Sequence, residues 1–243
     1  MNKVIQYECK RLLWNKIFFG ILIICLFLSF SLLHGEILMG VSNTAPFSPW
    51  SFGSYLSQLI PIICLGELFF LTFFISDKKR NIDILIKSTP ISPRRYAVMR
   101  CGTIFVAALL LVICVIALYL GFFSTLFGTL NYGELMLPAL LAVLPTMLFC
   151  LGAGYQLGAI HPILLYLLMP AVFILSSTPL LDLSMGNYFH NYPLVLGNLD
   201  PAFTVNGTLL CKRALYGIVG ILLLVIPCLD NSRWRYRIFK KYT

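Results

Sequence analysis

The sequence predicts an all-α, polytopic membrane protein with six transmembrane helices, and three observations lead to this fold class. The chain has 243 residues, of which 59% are hydrophobic and only 11% are charged. An average soluble domain is roughly 45–50% apolar and about 25% charged. Long neutral stretches recur along the chain, and basic residues are confined to the segments between them. A soluble globule and a disordered chain are both excluded, since disorder requires low hydrophobicity and high net charge.

The positions of the basic residues predict the orientation of the chain. All lysines and arginines except Lys212 and Arg213 fall in three clusters, near the N-terminus, within 77–100 and near the C-terminus. Cytoplasmic segments of membrane proteins are enriched in Lys and Arg. We therefore expect both termini and the segment 77–100 on the cytoplasmic side. The formal net charge of +9 is explained by this topology, and we expect no nucleic-acid partner.

The first 16 residues are predicted to form an amphipathic helix in the inner membrane interface. Ile5, Cys9 and Leu12 share one side of a helical wheel, and basic residues lie largely opposite, as in helices that lie on lipid. The alternative is an ordinary cytosolic start to a long first span. The first two spans are predicted at about 17–34 and 54–76, joined by an outer stretch without Lys or Arg.

The segment 77–100 is predicted to hold a short amphipathic helix under the membrane. Ile82, Leu85 and Ile86 recur at helical spacing, and Asp83 and Lys87 form an i,i+4 acid–base pair. Pro90 stops this helix, because the residue before a proline avoids the α region. Ser92 and Pro93 then start a new helix as its cap and first residue. An apolar face too short to span must dock on lipid or on a partner protein.

The remaining spans are predicted at about 101–127, 134–153, 160–180 and 209–229. No Asp, Glu, Lys or Arg occurs from Leu135 to Leu181, which is too long for one span and suits two spans with a tight turn. Glycines and a proline place that turn at Gly152–Pro162. Residues 181–212 form an extracytoplasmic segment, and Lys212 and Arg213 are expected to snorkel at the outer end of the last span.

One ionisable residue lies within a predicted span. Glu67 is flanked by Leu65-Gly66 and Leu68-Phe69-Phe70. An acid in hydrocarbon must be protonated, paired or hydrated, so Glu67 is the intramembrane candidate for a functional site. We expect its side chain to face protein or a water-filled pathway. The alternative is a protonated or helix-paired glutamate with a structural role.

No motif for catalysis or nucleotide binding is present. The chain lacks G-x-x-x-x-G-K-[ST], H-E-x-x-H and G-x-S-x-G. Its eight cysteines and three histidines show no metal-ligand spacing, and we interpret them as packing or interface residues. We therefore expect a protein that is not itself an enzyme.

Three features of the chain, taken together, indicate a resemblance to a known family. The interfacial start carries an acid and a basic pair, Glu8, Lys10 and Arg11, and six spans leave both ends inside. The segment 77–100 contains Lys87-Ser88-Thr89-Pro90-Ile91-Ser92-Pro93-Arg94-Arg95-Tyr96. On these features the whole chain resembles the permease subunits of ATP-binding-cassette (ABC) transporters of the ABC-2 exporter family. Asp77 and Asp83 stand where that family often has glutamates.

The resemblance implies a transport subunit with protein partners. Two permease chains, identical or related, would pair around a central pathway, with the second and fifth spans, and hence Glu67, near their interface. Separate ABC ATPase subunits would bind ATP and magnesium, so no cofactor is expected on this chain. The residues implied to couple to the ATPase are Asp77, Ile82, Asp83, Leu85, Ile86, Lys87, Thr89 and Pro90. Short re-entrant helices within 181–212 would cap the exit.

The size of the chain is similar to that of small bacterial permeases serving antimicrobial-peptide immunity or drug efflux. The resemblance thus implies a multi-pass protein of the bacterial plasma membrane that exports a peptide, drug or lipid-like substrate. Two alternatives stay open. A secondary carrier or channel would work without ATP and needs several intramembrane charges or an inverted repeat, and an intramembrane enzyme needs a constellation of reactive groups at one depth.

Overall fold

The computed structural model describes residues 2–75, 93–128, 132–179, 181–198 and 200–229. Every regular element within these ranges is helical. The helices are α1 (Asn2–Leu13), α2 (Lys16–Leu32), α3 (Pro49–Ile75), α4 (Pro93–Phe127), α5 (Tyr132–Ile160), α6 (Pro162–Ser177), α7 (Gly186–Leu196) and α8 (Gly207–Leu229). A π-helical turn, Leu33–Ile37, extends α2.

Five of these helices are long and apolar enough to cross a membrane. They are the stretches Lys16–Ile37, Pro49–Phe73, Ala97–Phe127, Gly133–Ile160 and Gly207–Val225. This supports the all-α, multi-pass class, whereas the predicted number of six spans is not established. The fifth predicted span, 160–180, corresponds to α6, which has only 16 residues. At 1.5 Å per residue α6 is about 24 Å long, less than the ~30 Å of the hydrocarbon core.

The N-terminal helix is separate from the first long helix. α1 ends at Leu13, and the Asn15 side chain caps α2 by accepting a hydrogen bond from the Ile17 N–H (3.3 Å). Leu12 is buried, whereas Gln6 and Lys10 are exposed. α1 packs against α4. The buried side of α1, which includes the acidic Glu8 as well as Leu12, therefore contacts protein, and Gln6 and Lys10 are exposed.

The third predicted span begins earlier than expected. α4 starts at Pro93, where the sequence predicts a helix start, and continues without interruption through the span predicted at 101–127. The coupling residues implied by the resemblance, from Asp77 to Pro90, lie outside the described residues. Ile75 and Pro93 are the described residues on either side of that segment.

The predicted turn at Gly152–Pro162 is much shorter in the structure. α5 continues through Gly152, Gly154 and Gly158 to Ile160. The break comes only at His161, whose Nδ1 accepts a hydrogen bond from the Ile163 N–H (3.2 Å), with Pro162 as the first residue of α6. These glycines are used for close packing: a Cβ on Gly154 would lie 2.5 Å from Leu68 Cδ2.

The core is organised around α3. This helix packs against α2, α4, α5, α6 and α7. In its apolar stretch of 18 residues 67% are buried, compared with 22% in the first long helix and 17% in α8. We call the end of the bundle that carries α1 the lower end. The upper end carries 38–48, α7 and 200–206, because α2, α4 and α6 end there and α3, α5 and α8 begin there.

Candidate functional site

Glu67 lies in the centre of the bundle. Its side chain is 0% exposed, enclosed between α3 and its neighbours. Both carboxyl oxygens lack a hydrogen-bond partner among the described residues. Cys150 on α5 is close enough to interact electrostatically with the carboxyl group. The side chain is thus surrounded by protein and faces neither lipid nor the surface of the chain.

Two thiols lie beside this carboxyl group. Cys64, one turn before Glu67 on α3, lies beside Cys150 of α5, and both are buried free thiols. The described residues contain no group of three His, Cys, Asp or Glu side chains placed to hold a metal ion. The three residues therefore form a buried polar contact between α3 and α5 that offers the carboxylate no cation.

The other polar side chains of α3 are committed elsewhere. Gln58 donates from Nε2 to Glu36 Oε2 (2.7 Å), and Thr72 donates to the carbonyl oxygen of Phe69 (2.7 Å). Neither forms a polar stripe with Glu67. An ionised carboxylate enclosed in this way has no stabilising partner, a situation that costs several kcal/mol. Any movement between α3 and α5 would change the environment of this group first.

A second buried charge, Arg213, lies near the upper end of α8. Its side chain is 2% exposed. The terminal nitrogens donate to Leu183 O (2.7 Å), to Asp182 O (2.6 Å) and to Thr146 Oγ1 (3.2 Å). The expectation that Arg213 snorkels outward is therefore wrong, because two backbone carbonyls and Thr146 of α5 accept from its terminal nitrogens inside the protein, while its Nε has no partner among the described residues. Lys212, in contrast, is exposed.

Arg213 belongs to a close contact between α5 and α8. A Cβ on Gly220 would lie 2.5 Å from the carbonyl carbon of Leu148, and one on Gly152 would lie 2.5 Å from Gly220 O. Glycine at such positions lets helix backbones approach closely. Lower on the same contact, Gln156 donates from Nε2 to Leu223 O (2.8 Å). Together these contacts hold α5 and α8 as one unit.

The upper end is closed by an aromatic cap. Trp50 is fully buried, and its ring contacts those of Tyr188, Phe189, Tyr192 and Phe203. Its Nε1 donates to the carbonyl oxygen of Pro201 (2.8 Å). These contacts attach α7 and the segment after it to the first turn of α3. The cap is therefore a packed part of the core.

Asp182 connects this cap to Arg213. Its two carboxyl oxygens accept hydrogen bonds from the Asn187 and Tyr188 N–H groups (3.2 Å each) at the start of α7. Burial raises the pKa of the Asp182 carboxyl, an effect that outweighs the opposing influence of these hydrogen bonds and of Arg213. The carbonyl oxygen of the same residue accepts from Arg213. One residue thus fixes both the start of α7 and the guanidinium group.

A cavity of about 180 Å³ opens between the cap and α8. Its walls combine aromatic rings, apolar side chains and charged groups of both signs. The lining residues used below are Asp182, Tyr188, Tyr192, Asn206, Thr208 and Lys212, with Arg213 and Tyr216 behind them. The sequence did not predict this cavity, since its walls come from three separate segments.

These features define the class of the protein as an α-helical, multi-pass membrane protein whose described part has a closed upper end and two buried charged centres within its bundle, at Glu67 and at Arg213. The fold and these two centres carry no diagnostic catalytic geometry. Comparison of the chain with protein-family models, with curated proteins and with solved structures gave no significant match.

Proposed function

We propose that the chain is the permease subunit of an ABC exporter of the ABC-2 type. It moves a peptide, drug or lipid-like substrate across the cell membrane with ATP hydrolysed by a separate ATPase subunit. The observation that carries this proposal is the stretch Lys87–Tyr96 between two long apolar helices. α3 ends at Ile75 and α4 begins at Pro93, both at the lower end of the bundle, and Pro93–Tyr96 form the first residues of α4.

The arrangement of helices suggests how a push from an ATPase reaches the membrane interior. α1 packs against α4, and α4 packs against α3, so a force at the lower end acts on these helices together. α5 and α8 are held to each other by backbone contact at Gly152 and Gly220. Movement of α3 against this unit exposes Glu67 to the pathway, where its carboxylate orients a cationic cargo.

The burial of Glu67 bears on its second expected role. The resemblance implies that the second span lines an interface with another permease chain. Glu67 is 0% exposed, so in this arrangement its carboxyl group does not reach the surface of the chain. We therefore favour the role in the pathway over a hydrogen bond between two permease chains.

The proposal is tested by co-expression with a candidate ABC ATPase subunit. Leu85→Asp places a charge on the apolar face that is expected to dock on the ATPase, where each buried anchor contributes on the order of 1–3 kcal/mol. We expect loss of co-purification and of ATP-dependent export, with normal membrane insertion. Met39→Asp, at an 86% exposed position of the upper end, is the matched control. Unchanged assembly and export of the Leu85 variant would reject the coupling role.

The orientation is tested by cysteine labelling from outside intact cells, in a background without other cysteines. Lys79→Cys is expected to stay unlabelled by an impermeant reagent, because the basic cluster around it predicts a cytoplasmic position. Met39→Cys, at the opposite end, is expected to react. The reverse pattern would invert the proposed topology.

A second candidate function is favoured by the absence of a hydrogen-bond partner for Glu67 among the described residues. A buried acid without a cation suits an ion-coupled carrier that needs no ATPase. In vesicles containing only this chain, such a carrier would move substrate in response to a proton gradient, and Glu67→Gln would abolish that movement. An exporter that depends on the ATPase would show no gradient-driven transport, either with the parent chain or with the Glu67→Gln variant.

A further inference from the structure

Several hydrogen-bond acceptors of the cavity between the cap and α8 already make hydrogen bonds within the protein. Both carboxyl oxygens of Asp182 accept from the first N–H groups of α7. The hydroxyl group of Tyr188 donates to Thr204 O (2.8 Å) and accepts from the Asn206 N–H (3.3 Å). Tyr216 donates its hydroxyl hydrogen to Leu181 O (2.7 Å). The structural polar groups of this wall are therefore satisfied internally.

The groups that remain available in the cavity can all donate a hydrogen bond, although its hydroxyl groups can also accept one. Lys212 presents its ammonium group, and Tyr192 and Thr208 present hydroxyl groups that make no hydrogen bond within the described residues. The Oδ1 of Asn206 accepts from the Thr208 N–H (3.4 Å), which leaves its NH₂ group free to donate. Since amides and hydroxyls need partners when covered, this set is suited to a ligand rich in acceptors.

The net charge of the cavity is positive, which matches an anionic ligand. Arg213 and Lys212 both interact electrostatically with the Asp182 carboxyl group and lower its pKa against the effect of burial. Two bases and one acid line the cavity, which leaves it with one excess positive charge. The cavity also lies at the first turn of α8, where the helix dipole favours anions.

We infer that this cavity binds the phosphate group of a membrane phospholipid. Its volume of about 180 Å³ is below the ~300–1,000 Å³ of sites for drug-sized ligands, so it accommodates one headgroup and not a peptide. Lys212 and the free hydroxyl of Tyr192 hold the phosphate oxygens by charge-assisted hydrogen bonds.

The surface below the cavity distinguishes a lipid from free phosphate. Leu215 and Leu222 follow Lys212 by three and ten residues and lie on the same face of α8. They are 58% and 52% exposed. A phosphate seated at Lys212 would therefore have its acyl chains alongside this apolar face. This inference needs the chain to lie in a membrane, but it does not depend on the proposed transport function.

Native mass spectrometry of the purified full-length chain tests the site. The probes are phosphatidylglycerol, diacylglycerol with the same acyl chains, and inorganic phosphate. We expect phosphatidylglycerol to bind and diacylglycerol to bind at least tenfold more weakly, since it lacks the anion. We expect Lys212→Gln to reduce phosphatidylglycerol binding roughly tenfold and Tyr192→Phe to reduce it less.

The matched control is Lys16→Gln, because Lys16 is an exposed lysine at the lower end. This variant is expected to leave binding at this site unchanged. Equal retention of diacylglycerol, or equal losses in the Lys16 and Lys212 variants, would overturn the proposal. Displacement of the lipid by equimolar inorganic phosphate would assign the cavity to a free anion and overturn its assignment to lipid.

Discussion

Arg213 and Glu67 are both buried ionisable side chains within apolar helices, 2% and 0% exposed, but their surroundings differ completely. The terminal nitrogens of Arg213 reach acceptors on three residues from two other segments. The carboxyl oxygens of Glu67 reach none within the described residues. A buried charge that is hydrogen-bonded to several acceptors holds the surrounding segments in one arrangement, and removing its partners is strongly destabilising. A buried charge without partners marks the contact most sensitive to movement.

Removal of the Arg213 guanidinium group is expected to have the largest effect. Arg213→Met keeps much of the apolar stem but removes the three hydrogen bonds that the guanidinium group donates, although the Met185 N–H and the Thr146 hydroxyl still donate to Asp182 O and Leu183 O. Hydrogen bonds from a charged donor contribute about 1.5–3 kcal/mol each, so we expect the free energy of unfolding to fall by about 3–5 kcal/mol. SDS-induced unfolding of the full chain in delipidated micelles measures it.

Lys212→Met is the matched control, because this neighbouring lysine is exposed and donates no hydrogen bond within the described residues. Its effect is expected to stay within about 0.5 kcal/mol. Similar losses for the two variants would show that the hydrogen bonds of Arg213 do not stabilise the fold as argued.

Replacement of Glu67 is expected to act in the opposite direction. Glu67→Leu removes a buried polar group that makes no hydrogen bond in the described structure, so no partner is left unsatisfied. We expect the free energy of unfolding to rise by about 1–3 kcal/mol. Glu67→Gln keeps a buried polar group and is expected to change stability little.

The same pair of variants separates stability from function. Under the proposed role in the pathway, both the Leu and the Gln variant lose transport, although one is more stable than the parent. A large loss of stability in Glu67→Leu would instead reveal a hydrogen-bond partner, and normal transport by both variants would remove Glu67 from the site.

Of these two residues, the sequence predicts a buried position only for Glu67. Glu67 stands out because a single acid within an apolar run is informative without any tertiary knowledge. Arg213 was interpreted as an interfacial residue because it follows Lys212 near the start of a span. Its partners, Thr146 and Leu183, are far away in the chain, and no periodicity links them. A buried arginine and a snorkelling one have the same local pattern.

The glycines show the same limit of local reasoning. Gly152, Gly154 and Gly158 next to Pro162 have the composition of a turn, but tertiary packing uses them inside α5. Helix boundaries with a local cause could be predicted more readily. Pro93 starts α4 because its missing N–H and fixed φ suit a first helical position. Propensity thus predicted where α4 begins, whereas close contact between helices explains why α5 continues past Gly152 and Gly154.

The backbone contact between α5 and α8 gives a third, smaller effect. Gly220→Ala would place a Cβ 2.5 Å from Leu148 C and 2.6 Å from Leu148 O, atoms that cannot move aside without shifting the helix. We expect a loss of about 1–3 kcal/mol in the free energy of unfolding. Gly217→Ala is the control one turn away on the same helix, since nothing lies within 4 Å of its Cβ position.

In this control the gain in helix propensity is at most about 1 kcal/mol. A loss of stability in Gly217→Ala equal to that in Gly220→Ala would contradict the close contact. It would also weaken the argument that Arg213 lies within a rigid unit of α5 and α8.

The smallest expected effect is a pH dependence at the acid beside Arg213. Burial raises the pKa of Asp182 above its ordinary value of 3.8, so the folded chain binds this proton more tightly than the unfolded chain. The stability contributed by Asp182 is therefore fully present below pH 3.8 and is lost as pH rises through the higher, folded pKa. Each pH unit of that window corresponds to at most about 1.4 kcal/mol.

Asp182→Asn removes this titration while its side-chain oxygen still accepts from the start of α7. We therefore expect stability to fall less between pH 4 and pH 6 in this variant than in the parent, as followed by SDS-induced unfolding at each pH. Asp200→Asn is the control, because Asp200 is exposed and its Oδ1 also accepts from a backbone N–H, that of Ala45 (3.1 Å). If the Asp182 variant retained the full slope, or if the parent became more stable as pH rose, attraction by Arg213 and the helix cap would outweigh burial. Asp182 would then be a stabilising partner of the buried arginine.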